Sequence, residues 1–158
     1  MNWHDYFVDE GITLSWKIRP ARMIYPGRVV SFKNTHGYLV VKLKGKQHMV
    51  HRVLWEMRNG PIPAGMQIDH IDGDRLNNLP GNLRLATHSE NCHNRGVQKN
   101  SSSGVKGVHW DKARKKWRAK AYLGGKIRHA GYFDDLEEAS AAAKNLRDIL
   151  HGDFARHG

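Results

Sequence analysis

The sequence predicts an α+β protein built as two small lobes, and three features carry that reading. Short runs with a two-residue period alternate with two stretches of helical spacing, Val50 to Met57 and Leu136 to Leu150. The polar stretch Gln98-Lys99-Asn100-Ser101-Ser102-Ser103-Gly104 has no period and reads as a linker. With 158 residues, 39% of them hydrophobic, the chain can cover compact lobes but not one thick core, and a large multi-domain enzyme is excluded.

Each element has its own warrant. Residues 1 to 27 form an N-terminal β segment, because Leu14 to Ile18 alternates before the loop Arg19 to Arg22. Arg28 to Phe32 and Tyr38 to Leu43 are β-rich, and Lys44-Gly45-Lys46 turns the chain into Gln47 to Val50, a hairpin. Val50, Val53, Leu54 and Met57 then predict a helix over about 50 to 58, stopped by Asn59-Gly60-Pro61. Gln67 to His70 is a strand running into the turn Asp72-Gly73-Asp74, and Pro80-Gly81 turns into a second strand, Leu83 to Leu85. Thr87 followed three residues later by Glu90 is a capping-box pattern, so a helix carrying Asn91, Asn94 and Arg95 begins there.

Beyond the linker, Gly104 to Trp110, Lys116 to Leu123 and Lys126 to Phe133 read as three strands, the last two joined at Gly124-Gly125. In the middle strand Lys116, Arg118, Lys120 and Tyr122 alternate with Trp117, Ala119, Ala121 and Leu123, which separates a basic face from an apolar one. The helix from Leu136 sets Leu136, Ala139, Ala143, Leu146 and Leu150 along the stripe that covers the apolar face and Trp117.

Charge narrows the partner. Twenty-six Lys and Arg against 15 Asp and Glu give a formal charge of +11, which points to a polyanion. Residues 101–133 hold nine basic side chains and one acid, Asp111, whereas acids cluster on the following helix, so the sheet face is expected to meet the polyanion. The single Cys92 excludes a disulfide framework and a Cys-rich zinc ribbon. No run approaches the roughly eighteen apolar residues of a membrane span, and the N-terminus lacks a signal-peptide pattern, so the expectation is a soluble cytoplasmic protein.

The segment QIDHIDGDRLNNLPGNLRLATHSENCHNR, residues 67–95, carries the chemistry. A carboxylate and an amide oxygen, as Asp69 and Asn91 offer, are hard ligands suited to Mg²⁺. A neutral imidazole, His70, is the side chain poised to take a proton from water, and Asn82 is placed to accept its other ring N–H. Asn77 and Asn78 read as loop-shaping residues, and His51 as a structural histidine bonded to the neighbouring strand. An EF-hand reading of the Asp-rich loop fails, because its glycine comes too early and no Glu closes it; a zinc site at His88, Cys92 and His93 is too crowded.

Asp69-His70-Ile71-Asp72-Gly73-Asp74, Asn77-Asn78, Asn82-Leu83-Arg84 and Glu90-Asn91 resemble the HNH endonucleases, in the homing-endonuclease branch common in bacteriophages, and Val50 to Trp55 resembles that branch too. The resemblance covers about residues 28–96 and implies a ββα-metal (His-Me finger) nuclease domain over 28–97. In it His70 is the general base, Asn82 orients it, and Asp69 with Asn91 holds one divalent ion. Asn91 stands where many members have His, which favours Mg²⁺ or Mn²⁺ over tightly held Zn²⁺.

Ser103 to Val108, Lys116 to Ala119, Ala130 to Phe133 and Glu137 to Ala142 resemble the APETALA-two/ethylene-response-factor DNA-binding domain, over roughly 101–156. That implies a domain at 105–158, joined by the 98–104 linker, whose three-stranded sheet enters the major groove of double-stranded DNA. His109, Arg118, Lys120, Tyr122 and His129 are its expected contacts, Lys116 and Arg128 its phosphate positioners, with Arg84 and Arg95 gripping phosphates near the cut. The expectation is thus a Mg²⁺-dependent DNA endonuclease, monomer or weak homodimer, in the host cytoplasm if phage-encoded. The rivals are a non-catalytic sequence-specific DNA-binding regulator and, further off, an RNA-binding protein.

Overall fold

A computed structural model describes residues 1–97 and 101–157. The chain divides into two compact units, Met1–His88 and Ser89–Gly158.

The first unit opens with a 3₁₀ turn, Trp3–Asp5, and a hairpin of β1 (Phe7–Asp9) and β2 (Leu14–Trp16). Residues 28–32 do not form the expected strand. Val29 and Lys33 make only isolated bridges, and Phe32 stays 67% exposed, because only Val30 of this run reaches the core. The hairpin of β3 (Val40–Leu43) and β4 (Lys46–Met49) is tighter than its pattern implied. Its two turn residues, Lys44 and Gly45, both take positive φ, 50° and 78°, a backbone that matches strand twist. Helix α1 (Val50–Asn59) follows and ends at Gly60, whose φ of 84° suits glycine. It buries Val50, Val53 and Leu54 on Phe7, Leu14, Trp16, Val41 and Leu43, and this is the core of the unit.

A third hairpin carries the chemistry-bearing segment. β5 (Met66–His70) pairs antiparallel with β6 (Leu83–Thr87), Asp69 opposite Arg84 and His70 opposite Leu83. Residues 71–82 form the loop between them, closed by a 3₁₀ turn at Pro80–Asn82. Thr87 is the last residue of β6, and α2 (His88–His93) follows it directly.

In the second unit β7 (Val108–Asp111), β8 (Lys116–Leu123) and β9 (Lys126–Phe133) form an antiparallel sheet in that order, and α3 (Leu136–His151) packs on it. Asp135 caps α3, accepting from the N–H groups of Glu137 and Glu138 at 2.7 and 3.0 Å. The expected stripe shifts by one position. Ala139 and Ala143 are buried as foreseen, but Arg147, not Leu146, continues the buried line, its guanidinium donating to the Lys106 carbonyl. Small alanines let α3 approach the sheet closely, leaving depth for a long side chain whose head finds a carbonyl. Trp117 is half-buried, edge-on to Trp110 with ring centroids 5.0 Å apart.

Of the expected linker, 98–100 lies outside the described residues. Ser103, at its far end, is built into the second unit: its hydroxyl donates to the Val108 carbonyl at 2.7 Å. Among the described residues no helix is long and apolar enough to cross a membrane.

Candidate active site

Alternation along β5 decides what its last two residues face. Asp69 and His70 are both 5% exposed, so an ionisable pair ends a buried strand. Burial of that kind requires partners. Arg84, directly across the hairpin, meets Asp69 Oδ2 through Nε and Nη2, each at 2.9 Å. The expected role of Arg84 on a flanking phosphate therefore meets a different placement: its guanidinium lies on the carboxylate, only 16% exposed.

His70 Nε2 lies 2.9 Å from Asn78 Oδ1. Asn78 is 1% exposed, and its Nδ2 donates to the Ile12 carbonyl at 2.9 Å. Sequence reasoning missed this partner. It placed Asn82 on the ring and Asn78 in the loop scaffold, and the structure exchanges them. Asn82 Nδ2 donates to Asp72 Oδ1 at 2.9 Å and to the Asn77 carbonyl at 2.7 Å, and its Oδ1 accepts from the Asp72 N–H at 3.1 Å. Asn77 adds a bond to Asp72 Oδ2 at 2.7 Å. The physical reason is reach: Asn82 sits at the foot of β6 facing the Asp-Gly-Asp turn, whose backbone and carboxylate absorb its whole carboxamide. Burial pushes the Asp72 carboxyl upward, but the bonds from Asn82, Asn77 and the Asp74 N–H, with His70 nearby, bring it below the usual carboxylate range.

His51, from the first turn of α1, meets His70 edge-on with centroids 5.0 Å apart, and Tyr38 lies 5.1 Å from His51. Ring packing, not the expected hydrogen bond to a strand, holds it. Burial, then repulsion from His70 and Arg52, lowers its pKa to about 3, so it is a neutral wall beside His70.

The stretch 48–93, which contains α1 and this hairpin, matches the HNH endonuclease family model. Over 106 residues the chain is 46% identical to "Protein 3.8" of Escherichia phage T7, an alignment spanning 67% of this chain and 87% of that one. Residues 48–93 of the chain thus carry an HNH endonuclease domain. It is also 36% identical over 121 residues to the "Uncharacterized HNH endonuclease L560" of Acanthamoeba polyphaga mimivirus, covering 75% of this chain and 61% of that protein. With the "SPbeta prophage-derived putative HNH homing endonuclease YosQ" of Bacillus subtilis (strain 168) the identity is 33% over 91 residues, 54% of this chain and 49% of that one. No solved structure matches the chain.

The remaining expected residues lie in the second unit. Asn91 is half-buried on α2, and Arg95, just beyond, is exposed. On the outer face of the sheet His109 stands opposite Arg118, Arg118 opposite Tyr132, Lys120 opposite His129 and Tyr122 opposite Ile127. Burial, then Lys120 and Arg118, lowers the His109 pKa, so this imidazole is a neutral group among cations. Arg114 covers the Tyr132 ring at 4.7 Å, and Lys116 pairs with Asp134 at 2.9 Å. Arg128 does not join this face. The register sets it beside Ala121, on the side where α3 packs, because Ala130 is left unpaired in a bulge between the Ala119–Gly131 and Lys120–His129 pairs.

Proposed function

We propose that this protein is a homing-type DNA endonuclease that hydrolyses phosphodiester bonds in double-stranded DNA with a divalent ion, Mg²⁺ or Mn²⁺. The observation that carries the reading is the buried Asp69–His70 pair at the end of β5, inside the family-matching segment. The name of the prophage relative, an HNH homing endonuclease, supports the homing type.

β5, β6 and α2 are read as the ββα-metal unit. The donor chemistry fits the ion. Asp69 and Asn91 would hold it with one carboxylate and one amide oxygen, both hard, and water and phosphate would complete the shell. One carboxylate and one amide oxygen, with no thiolate or imidazole in the set, suit a loosely held Mg²⁺ better than a Zn²⁺ cage. A divalent ion held by Asp69 and Asn91 would supply charge stabilisation to the phosphate and the departing 3′ oxygen. His70 takes the proton from the attacking water. Asn82 holds the acidic turn rigid next to it, so the base does not drift. Arg84 fixes the Asp69 carboxylate in one orientation.

The second unit is the DNA-holding module. Its outer sheet face, with His109, Arg118, Lys120, Tyr122 and His129, is proposed to enter the groove, with Lys116 and Arg95 on phosphates; Arg128, set by the register on the other side of the sheet, drops out of the proposed contacts. Incubating the protein with supercoiled DNA and Mg²⁺, beside His70→Ala, tests the whole. The expected result is metal-dependent cutting that drops at least about 100-fold in the variant. Tight binding without cutting by either protein would make it a DNA-binding regulator instead.

A further inference from the structure

The N-terminal hairpin touches the candidate base through one side chain. The turn between β1 and β2 presents the Ile12 carbonyl to Asn78 Nδ2 at 2.9 Å. A carbonyl accepts only, so the nitrogen of the carboxamide must face Ile12 and its oxygen must face His70. Reversing the amide would set two oxygens together in a buried place. Asn78 Oδ1 in turn accepts only, and it lies 2.9 Å from His70 Nε2. In the neutral ring the hydrogen therefore sits on Nε2, and Nδ1 carries the lone pair.

The anchor is itself held. Arg58, in the last turn of α1, donates to Asp9 through Nε and Nη2, both at 2.6 Å, to the Gly11 carbonyl at 2.5 Å and to the Asn78 carbonyl at 3.1 Å. One guanidinium thus ties the hairpin turn and Asn78 to one helix. Burial pushes the Asp9 carboxyl upward, and the bonds from Arg58 and the Gly11 N–H more than reverse it.

We propose that Asn78, anchored on the Ile12 carbonyl of the N-terminal hairpin, is a positioning residue that fixes His70 in its Nε2–H tautomer and so presents Nδ1 to the attacking water. The assignment rests on the reading of His70 as general base. It makes the β1–β2 hairpin part of the catalytic apparatus rather than a separate decoration.

The first measurement needs no variant. Long-range ¹⁵N–¹H correlation spectra of the full-length ¹⁵N-histidine protein, at a pH where His70 is neutral, are expected to give the Nε2–H pattern. The Nδ1–H pattern would overturn the proposal. The second is single-turnover cutting at saturating DNA by Asn78→Leu and Asn78→Asp. Leucine removes the acceptor and is expected to slow cutting about 10- to 100-fold while changing DNA affinity less than about threefold. Aspartate keeps an acceptor on Nε2 although it repels the Ile12 carbonyl, so it is expected to cut faster than leucine whatever its melting temperature. Rates that follow melting temperature instead would reduce Asn78 to a structural residue. Should Asn78→Leu fail to fold, the spectrum of the wild type still decides. The parent reading fails separately, if His70→Ala cuts like wild type; the tautomer is read without any activity.

Discussion

His51 shows how a single ring couples burial to acid stability. Its ordinary pKa of 6.5 falls to about 3 in the folded protein, through burial first and then His70 and Arg52. Between those values the unfolded chain binds a proton that the native chain refuses, so stability falls as pH drops from 6.5 toward 3. The limiting slope for one group is about 1.4 kcal/mol per pH unit. His51→Phe keeps a ring against His70 and Tyr38 but does not titrate. Its urea midpoint should lose less between pH 7 and pH 5 than that of wild type. Asn82 gives a second expectation at this scale. Asn82→Ala removes three bonds around Asp72 and should destabilise the protein by about 1–3 kcal/mol, and Asn82→Asp, which sets a carboxylate against Asp72, should cost more, both read by denaturant unfolding. Asp69 and His70 were singled out in the sequence by their place at the end of a strand, and the structure buries both there. Their partners were not. Asn78 reaches Ile12, and Arg58 reaches Asp9, across long stretches of chain, and nothing local in either segment signals the partner. The Asp69–Arg84 pair was within reach, because aligning β5 with β6 sets the two opposite.

Hairpins and helices were the most legible level, because turn chemistry and periodicity act locally. Lys44-Gly45 and Gly124-Gly125 mark two-residue turns, and α1 and α3 begin and end within a residue or two of their patterns. What failed was depth. A basic residue in a helix reads as solvated, yet Arg147 is 3% exposed, since Ala139 and Ala143 draw α3 close to the sheet. The same closeness explains Gly107, φ +80°, where an added Cβ would sit 2.4 Å from the Lys120 carbonyl oxygen and 3.1 Å from Arg147 Nη1. Neither backbone nor buried guanidinium can retreat cheaply. Gly107→Ala should lower the melting temperature by the equivalent of more than about 2 kcal/mol, whereas Gly125→Ala, at φ +74° in open space, should cost only about 1–2 kcal/mol. Equal effects in thermal melts would show that the close approach of β8 to Gly107 is relieved without strain.

For the molecule as a whole, charge and chemistry separate into different parts of the chain, and the separation is measurable. The formal charge is +11, and the stretch 101–133 carries nine of the basic side chains with one acid. Association with DNA should therefore release counterions, so that log K falls linearly with log salt by about 0.9 for each phosphate engaged. Arg118→Ala and Lys120→Ala, on the outer sheet face, should each weaken binding and flatten that slope by about one phosphate if their heads meet the backbone. Arg128→Ala is the internal control. It was expected alongside them as a phosphate positioner, but the register puts it beside Ala121 on the other side of the sheet. A smaller loss there marks the outer face as the one that meets DNA, and an equal loss would place the duplex along the edge of β9. Chelating the proposed divalent ion tests the other part of the chain. EDTA, at matched ionic strength, should stop cutting outright while DNA affinity, if the sheet carries it as proposed, moves less than about threefold. If affinity collapsed with the ion, binding and cutting would share one set of contacts, and the outer face of β7–β9 would not be the main hold on DNA.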